Sequence, residues 1–191
     1  MKEPLPQRIS RVLAWVAGAV ILFGCAVPIT IDVASRYFLN RSVIDSFEIS
    51  GYGLAACIGL GLAYTVTTKA HIRVDFIAAR FPFPLRAACD LLAAAALALV
   101  AAALAWFAWG TLAQSWAMDA RSMSQMRVPL IFPQGLWWVG LFWFACMAVL
   151  APVQAILRLM KGDRAGFNAA IGSADIDSEI DEAARAASRL S

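Results

Sequence analysis

His71 is the only histidine of the chain, and it stands in Lys69-Ala-His-Ile-Arg-Val-Asp75, where charges arrive together after twenty residues without one. An imidazole with a carboxylate four residues on has the parts of a proton relay or of a metal site. A relay across an apolar phase needs further acids or histidines at mid-depth, and ligation of two haems needs several histidines. The sequence supplies neither, so the spacing of His71 and Asp75 reads as a pair on one face of a helix.

The other reactive residue types give the same answer. Cys25, Cys57, Cys89 and Cys146 are far apart, with no paired dithiol and no neighbouring histidine at metal-ligand spacing. They read as small packing residues. Asp32, Glu48, Asp75, Asp90 and Asp119 all fall near the ends of apolar runs, whereas a proton-coupled exporter places a carboxylate deep within one. There is no glycine loop to cradle phosphate and no serine nucleophile elbow. The chain is expected to be no enzyme and to carry no cofactor.

Its composition names the medium in which it folds. Hydrophobic residues make up 61% of the 191 and charged ones 15%, and the mean hydropathy is +0.70, more than a water-soluble core requires. Four runs, 12–31, 49–68, 91–118 and 128–157, contain no charge at all. Each has at least the roughly 20 residues that cross a bilayer core about 30 Å thick as a helix. The runs are continuous rather than alternating with period two, which excludes a closed barrel. The prediction is an all-α membrane protein: residues 1–11 as an N-terminal segment, 12–157 as a four-helix transmembrane domain and 158–191 as a polar tail. The first run is too long for a signal-peptide core, and no Ala-x-Ala-like site follows it.

Basic residues set the expected orientation. Lys2, Arg8 and Arg11, then Lys69, Arg73, Arg80 and Arg86, then Arg158, Lys161 and Arg164 fall on one side, against Arg36, Arg41, Arg121 and Arg127 on the other. The excess predicts both termini in the cytoplasm. The net charge of +3 thus reports topology, and no basic stripe points to nucleic acid.

Several local features position the ends of these helices. Pro28 is expected to kink the first, which closes with Asp32 and Arg36 at i, i+4 spacing, able to neutralise each other. Asp45 and Glu48 have the N-cap and N3 spacing of a capping box at the start of the second. Within it, Gly51, Ala55, Gly59 and Ala63 recur every four residues as a smooth ridge, either for a partner protein or for another helix of the same chain. Ile72, Phe76, Ile77 and Phe81 lie opposite Arg73, Asp75 and Arg80, which predicts a short amphipathic helix in the membrane plane, stopped by Pro82 and Pro84. Trp109, Trp116, Trp137 and Trp138 are candidates for an aromatic belt against lipid.

Two stretches taken together resemble a known family. Ser-Arg36-Tyr37-Phe-Leu-Asn40-Arg-Ser42 leading to Glu48, then Lys-Ala-His71-Ile72-Arg-Val74-Asp75, is similar to the small membrane subunit of tripartite ATP-independent periplasmic (TRAP) transporters. Arg-Val-Pro-Leu-Ile-Phe-Pro-Gln-Gly, 127–135, is similar to the entry to that family's fourth helix. The resemblance spans roughly residues 10 to 160. It implies a multi-pass subunit of the bacterial inner membrane, surrounded by lipid, in a sodium-driven uptake system for organic acids. Its partners would be a large membrane subunit that carries substrate and a periplasmic substrate-binding protein. The small subunit would brace the large one, with Arg36, Asn40, Glu48, His71 and Asp75 as structural motif residues. Arg36 and Glu48, which flank one turn, are expected to approach each other or a partner backbone, and with Gly51, Ala55, Gly59 and Ala63 they are the candidate partner contacts. A self-contained homo-oligomeric exporter or channel is the alternative from another class.

Overall fold

The computed structural model describes residues 5–42, 45–68, 81–124 and 126–171. His71, Asp75, the expected interfacial helix and the acidic stretch beyond residue 171 lie outside them. Among the described residues, four helices are long and apolar enough to cross a membrane: Leu5–Leu39, Ser46–Thr67, Phe83–Ala117 and Ile131–Met160. No strand forms among them; the sole β-type pairing is an isolated bridge between Arg121 and Pro129.

The first span is composite. It runs as α1 (Leu5–Ala19), a seven-residue π-helical segment (Val20–Ala26) and α2 (Val27–Leu39). Pro28 explains the middle piece: it has no amide hydrogen for the Gly24 carbonyl, and its ring crowds that carbonyl, so the preceding turns widen. The Thr30 hydroxyl donates to the Ala26 carbonyl at 2.8 Å and shares the load of that weakened region. The helix starts earlier than the charge-free run because Arg8 and Arg11 lie on its exposed side, while Ser10 faces inward.

Asn40 ends α2 in the left-handed conformation, with φ of 52°, which asparagine tolerates better than most residues. α3 (Ser46–Thr67) then begins under Asp45, whose carboxylate accepts the Glu48 amide at 3.3 Å. At its far end the Thr67 and Thr68 hydroxyls both donate to the Tyr64 carbonyl, at 2.8 and 3.0 Å, where the helix runs out of its own donors. α4 (Phe83–Ala117) opens with the Leu85 and Arg86 amides on the Pro82 carbonyl. Pro84 sits in that first turn, where no amide hydrogen is needed, so the proline pair starts the third span. α5 (Ile131–Met160) carries Pro152 inside it. α6 (Arg164–Ile171) is a short final helix.

The chain divides into two compact units, residues 1–68 with 97–149, and residues 69–96 with 150–191. In the first, α3 packs along α1 and the π segment. Gly53 makes this approach possible, since a Cβ there would collide with the Cys25 sulfur. α3 meets α5 equally closely: a Cβ on Gly140 would lie 2.3 Å from the Gly59 carbonyl carbon, and one on Gly59 would lie 2.8 Å from the Trp137 carbonyl oxygen. Apolar burial cannot drive helices together in lipid, so backbone approach at such glycines carries the packing.

The ridge on α3 is not uniform in its surroundings. Gly59 and Ala63 are buried, Gly59 against α5 of the same chain, whereas Gly51 is exposed with open space around it. Gly59, proposed from the sequence as a partner contact, is an internal one, because the matching glycine on α5 could not be seen from the α3 repeat alone. Two half-buried, hydrogen-bonding tryptophans add to this unit. The Trp143 indole donates to the fully buried Ser10 hydroxyl at 3.1 Å, and that hydroxyl donates to the Pro6 carbonyl at 3.0 Å. Trp138 donates to the Ala105 carbonyl at 3.2 Å and packs its ring on Trp109 and Phe142. Of the tryptophans expected as a lipid belt, Trp116 is exposed, but Trp138 serves helix packing and Trp137 faces Gly59.

In the second unit, Phe167 and Ile171 of α6 are buried with Ala87, Ala94 and Ala155. Phe83 meets Phe167 edge-on, and the Arg164 guanidinium lies 4.9 Å from the Phe83 ring centre. Gly162 turns the chain at φ of 73°, and the Asp163 carboxylate caps α6 by accepting the Gly166 amide at 2.8 Å. Residues 164–171, within the stretch 158–191 expected as a polar tail, are thus a packed helix.

Candidate functional site

The polar residues singled out from sequence meet around the turn between α2 and α3. Asp32 is 1% exposed, about two turns before α2 ends. Its Oδ2 accepts the Arg36 guanidinium, with Nε at 3.1 Å and Nη2 at 2.9 Å, as i, i+4 spacing allows. The Ser42 hydroxyl donates to Oδ1 and the Ser46 hydroxyl to Oδ2, both at 2.6 Å. One carboxylate thereby fastens the end of α2, the turn and the first residue of α3. Its charge is neutralised and its oxygens are engaged, the condition under which a buried ion is tolerated.

Glu48 stands on the same turn with different company. Its Oε1 accepts the Tyr52 hydroxyl from the next turn of α3. The hydroxyls of Ser122 and Ser124, from the loop that joins α4 to α5, stand over the same carboxylate. That loop is ordered by its own bonds: the Ser122 amide donates to the Val128 carbonyl at 2.9 Å, and the Leu130 amide to the Ala120 carbonyl at 3.0 Å. Asp119 and Arg127 both take positive φ of 45° where it turns. The two serine hydroxyls bond each other at 2.7 Å, and they accept the Ser124 and Met126 amides at 3.2 Å each.

Arg36 makes the i, i+4 pair with Asp32 that their spacing predicts, so its ion pair goes there rather than to Glu48. Glu48 does not close the capping box; Asp45 makes its half, but the Glu48 side chain turns to Tyr52, also four residues on. Asn40 proves to be the left-handed cap of α2. The residues that sequence reading passed over are Ser42 and Ser46 as partners of Asp32, Tyr52, the loop serines and Ser10. Only Tyr52 left a signal, its i, i+4 spacing from Glu48.

Beside the turn, Ile21, Cys25, Phe47, Ser50, Gly51 and Leu54 line an open apolar groove of about 520 Å³ between the π segment and α3. Phe47 is 89% exposed at its edge. Cys25 is buried under Gly53 as a packing residue, whereas Cys89 and Cys146 lie on exposed faces. Among the described residues no group of three or more histidine, cysteine, aspartate or glutamate side chains gathers to hold a metal ion.

Four apolar spans, with polar groups spent on joining helix ends and a surface rich in bare leucine, phenylalanine and tryptophan, define a multi-pass membrane protein. Over residues 25–162 the chain matches the family described as tripartite ATP-independent periplasmic transporters, DctQ component, and it belongs to that family. This is a transporter component rather than an enzyme family. No curated protein and no solved structure matches the chain.

Proposed function

We propose that this chain is the small permease subunit of a sodium-driven, binding-protein-dependent secondary transporter for organic acids in a bacterial inner membrane. It braces the stationary part of a large membrane subunit, which carries the solute, while a periplasmic binding protein delivers that solute. The family match is the observation that supports this reading, and the polar groups of the spans agree with it. Asp32 and Ser10 are engaged in joining elements of this chain.

Both termini lie in the cytoplasm in this proposal, and the turn at Asn40 and the loop at 118–130 face the periplasm. The groove with Gly51 at its wall is where a helix of the large subunit docks, since Gly51 has open space where Gly59 has none. Reconstitution tests the assignment. The chain alone in liposomes is expected to give no sodium-driven uptake of any organic acid, and uptake is expected once the large subunit and binding protein are added. Uptake by the pure chain would instead establish the self-contained exporter.

A further inference from the structure

The end of α5, the turn after it and the start of α6 carry three basic side chains that no acid answers. Arg158, Lys161 and Arg164 are exposed, and among the described residues none of them forms an ion pair. Asp163 lies between them in sequence, but its Oδ1 is spent on the Gly166 amide at 2.8 Å. Asp90, the other described acid of this unit, is buried.

Both arginines are held in place with donors to spare. Nη1 of Arg158 donates to the Gly166 carbonyl at 2.9 Å, which uses one of five N–H groups. Arg164 lays its guanidinium over the Phe83 ring, 4.9 Å from the centre, and a contact through the planar face leaves the N–H groups free at the edge. Just before these cations, Leu157 and Met160 in the last turn of α5 are exposed at the end of the fourth span. A surface that is cationic at the end of a span and apolar beside it matches an anionic headgroup carried on acyl chains. The carboxylates of the acidic stretch 175–182 would meet the charges and leave the apolar half unmatched. A zwitterionic headgroup would bring a cation of its own against three others.

We propose that Arg158, Lys161 and Arg164 bind the phosphate of one anionic phospholipid whose acyl chains lie along Leu157 and Met160. The site stands on this chain's own residues and holds whether or not the chain assembles with a large subunit. Native mass spectrometry of the detergent-solubilised full-length chain tests it, with phosphatidylglycerol titrated against phosphatidylcholine of the same acyl chains. Phosphatidylglycerol is expected to add as one tightly held lipid per chain, at least about tenfold tighter than phosphatidylcholine. Lys161→Gln with Arg164→Gln spares the Arg158 bond to Gly166 and should lose at least about tenfold of that affinity. Arg8→Gln with Arg41→Gln, the same loss of charge at exposed sites elsewhere, should keep it. Equal affinity for the two lipids, an equal loss in the two double variants, or displacement of the lipid by inorganic phosphate at constant ionic strength overturns the proposal. So does a preference for phosphatidylglycerol that appears only when Asp175, Asp177, Glu179, Asp181 and Glu182 are together replaced by their amides, since the acidic stretch would then be the occupant.

Discussion

At the scale of single residues, the turn between α2 and α3 depends on a carboxylate more than on its basic partner. The Arg36 side chain is 61% exposed and can be solvated when unpaired, but Asp32 is buried and receives two serine hydroxyls besides the guanidinium. Removing the arginine leaves a carboxylate with two short bonds; removing the carboxylate strands three donors at once. Asp32→Ala is therefore expected to lower the melting temperature of the detergent-solubilised chain further than Arg36→Ala. The reverse order in a thermal melt would mean that the ion pair, and not the serine contacts, fixes the turn. Ser10 and Trp143 permit a cleaner measurement, because they are 133 residues apart and share one hydrogen bond. A double-mutant cycle with Ser10→Ala and Trp143→Phe should return a coupling of about 0.6 kcal/mol, and below about 2 kcal/mol, the range for polar contacts between helices in lipid. Coupling near zero would show that the buried serine is held by Pro6 alone.

Helices are where the sequence was most legible, and their contacts where it was least. Four charge-free runs gave four spans, because a bilayer's thickness imposes a length on any helix that crosses it. Asp45 as a cap and Asp32 with Arg36 as a pair also follow from spacing along one helix, where neighbours are known in advance. Gly59 against Gly140 does not follow, since it joins two helices whose rotation and depth are set by the fit of their surfaces. Nor does Glu48 beneath Ser122 and Ser124, more than seventy residues away. The π-helical segment was half visible: Pro28 announced a weak ladder but not whether the helix would bend or widen. The glycines give the sharpest test at this scale. A methyl on Gly140 has only α3 backbone to displace, so Gly140→Ala should destabilise the chain by roughly 1–3 kcal/mol. Gly51→Ala, with nothing in its way, should leave the isolated chain as stable or slightly more so. Equal losses in chemical denaturation of the two variants would mean that α3 and α5 part easily and the packing lies elsewhere.

For the whole molecule, the decisive quantity is which way it lies in the membrane, since that assigns the Asn40 turn and the 118–130 loop to one compartment and the helix start at Phe83 to the other. The basic residues argue for one answer: twelve of the sixteen lie at the termini and in the 69–86 connection, ten of them close to a span, and four lie near the turn and in the loop. Each arginine in a short translocated connection costs free energy during insertion, and the two arginines of the turn and loop that pair, Arg36 and Arg121, are each joined to an aspartate. Local pairing keeps those few charges from opposing the bias set by the larger group. With the four cysteines replaced, single cysteines at positions 41 and 121 should react with a membrane-impermeant maleimide in intact cells. A cysteine at position 71 should react only after the membrane is opened. Labelling of position 71 from outside would invert the orientation and place the turn between α2 and α3 in the cytoplasm. The family membership would stand, but the turn and loop could no longer meet a periplasmic binding protein.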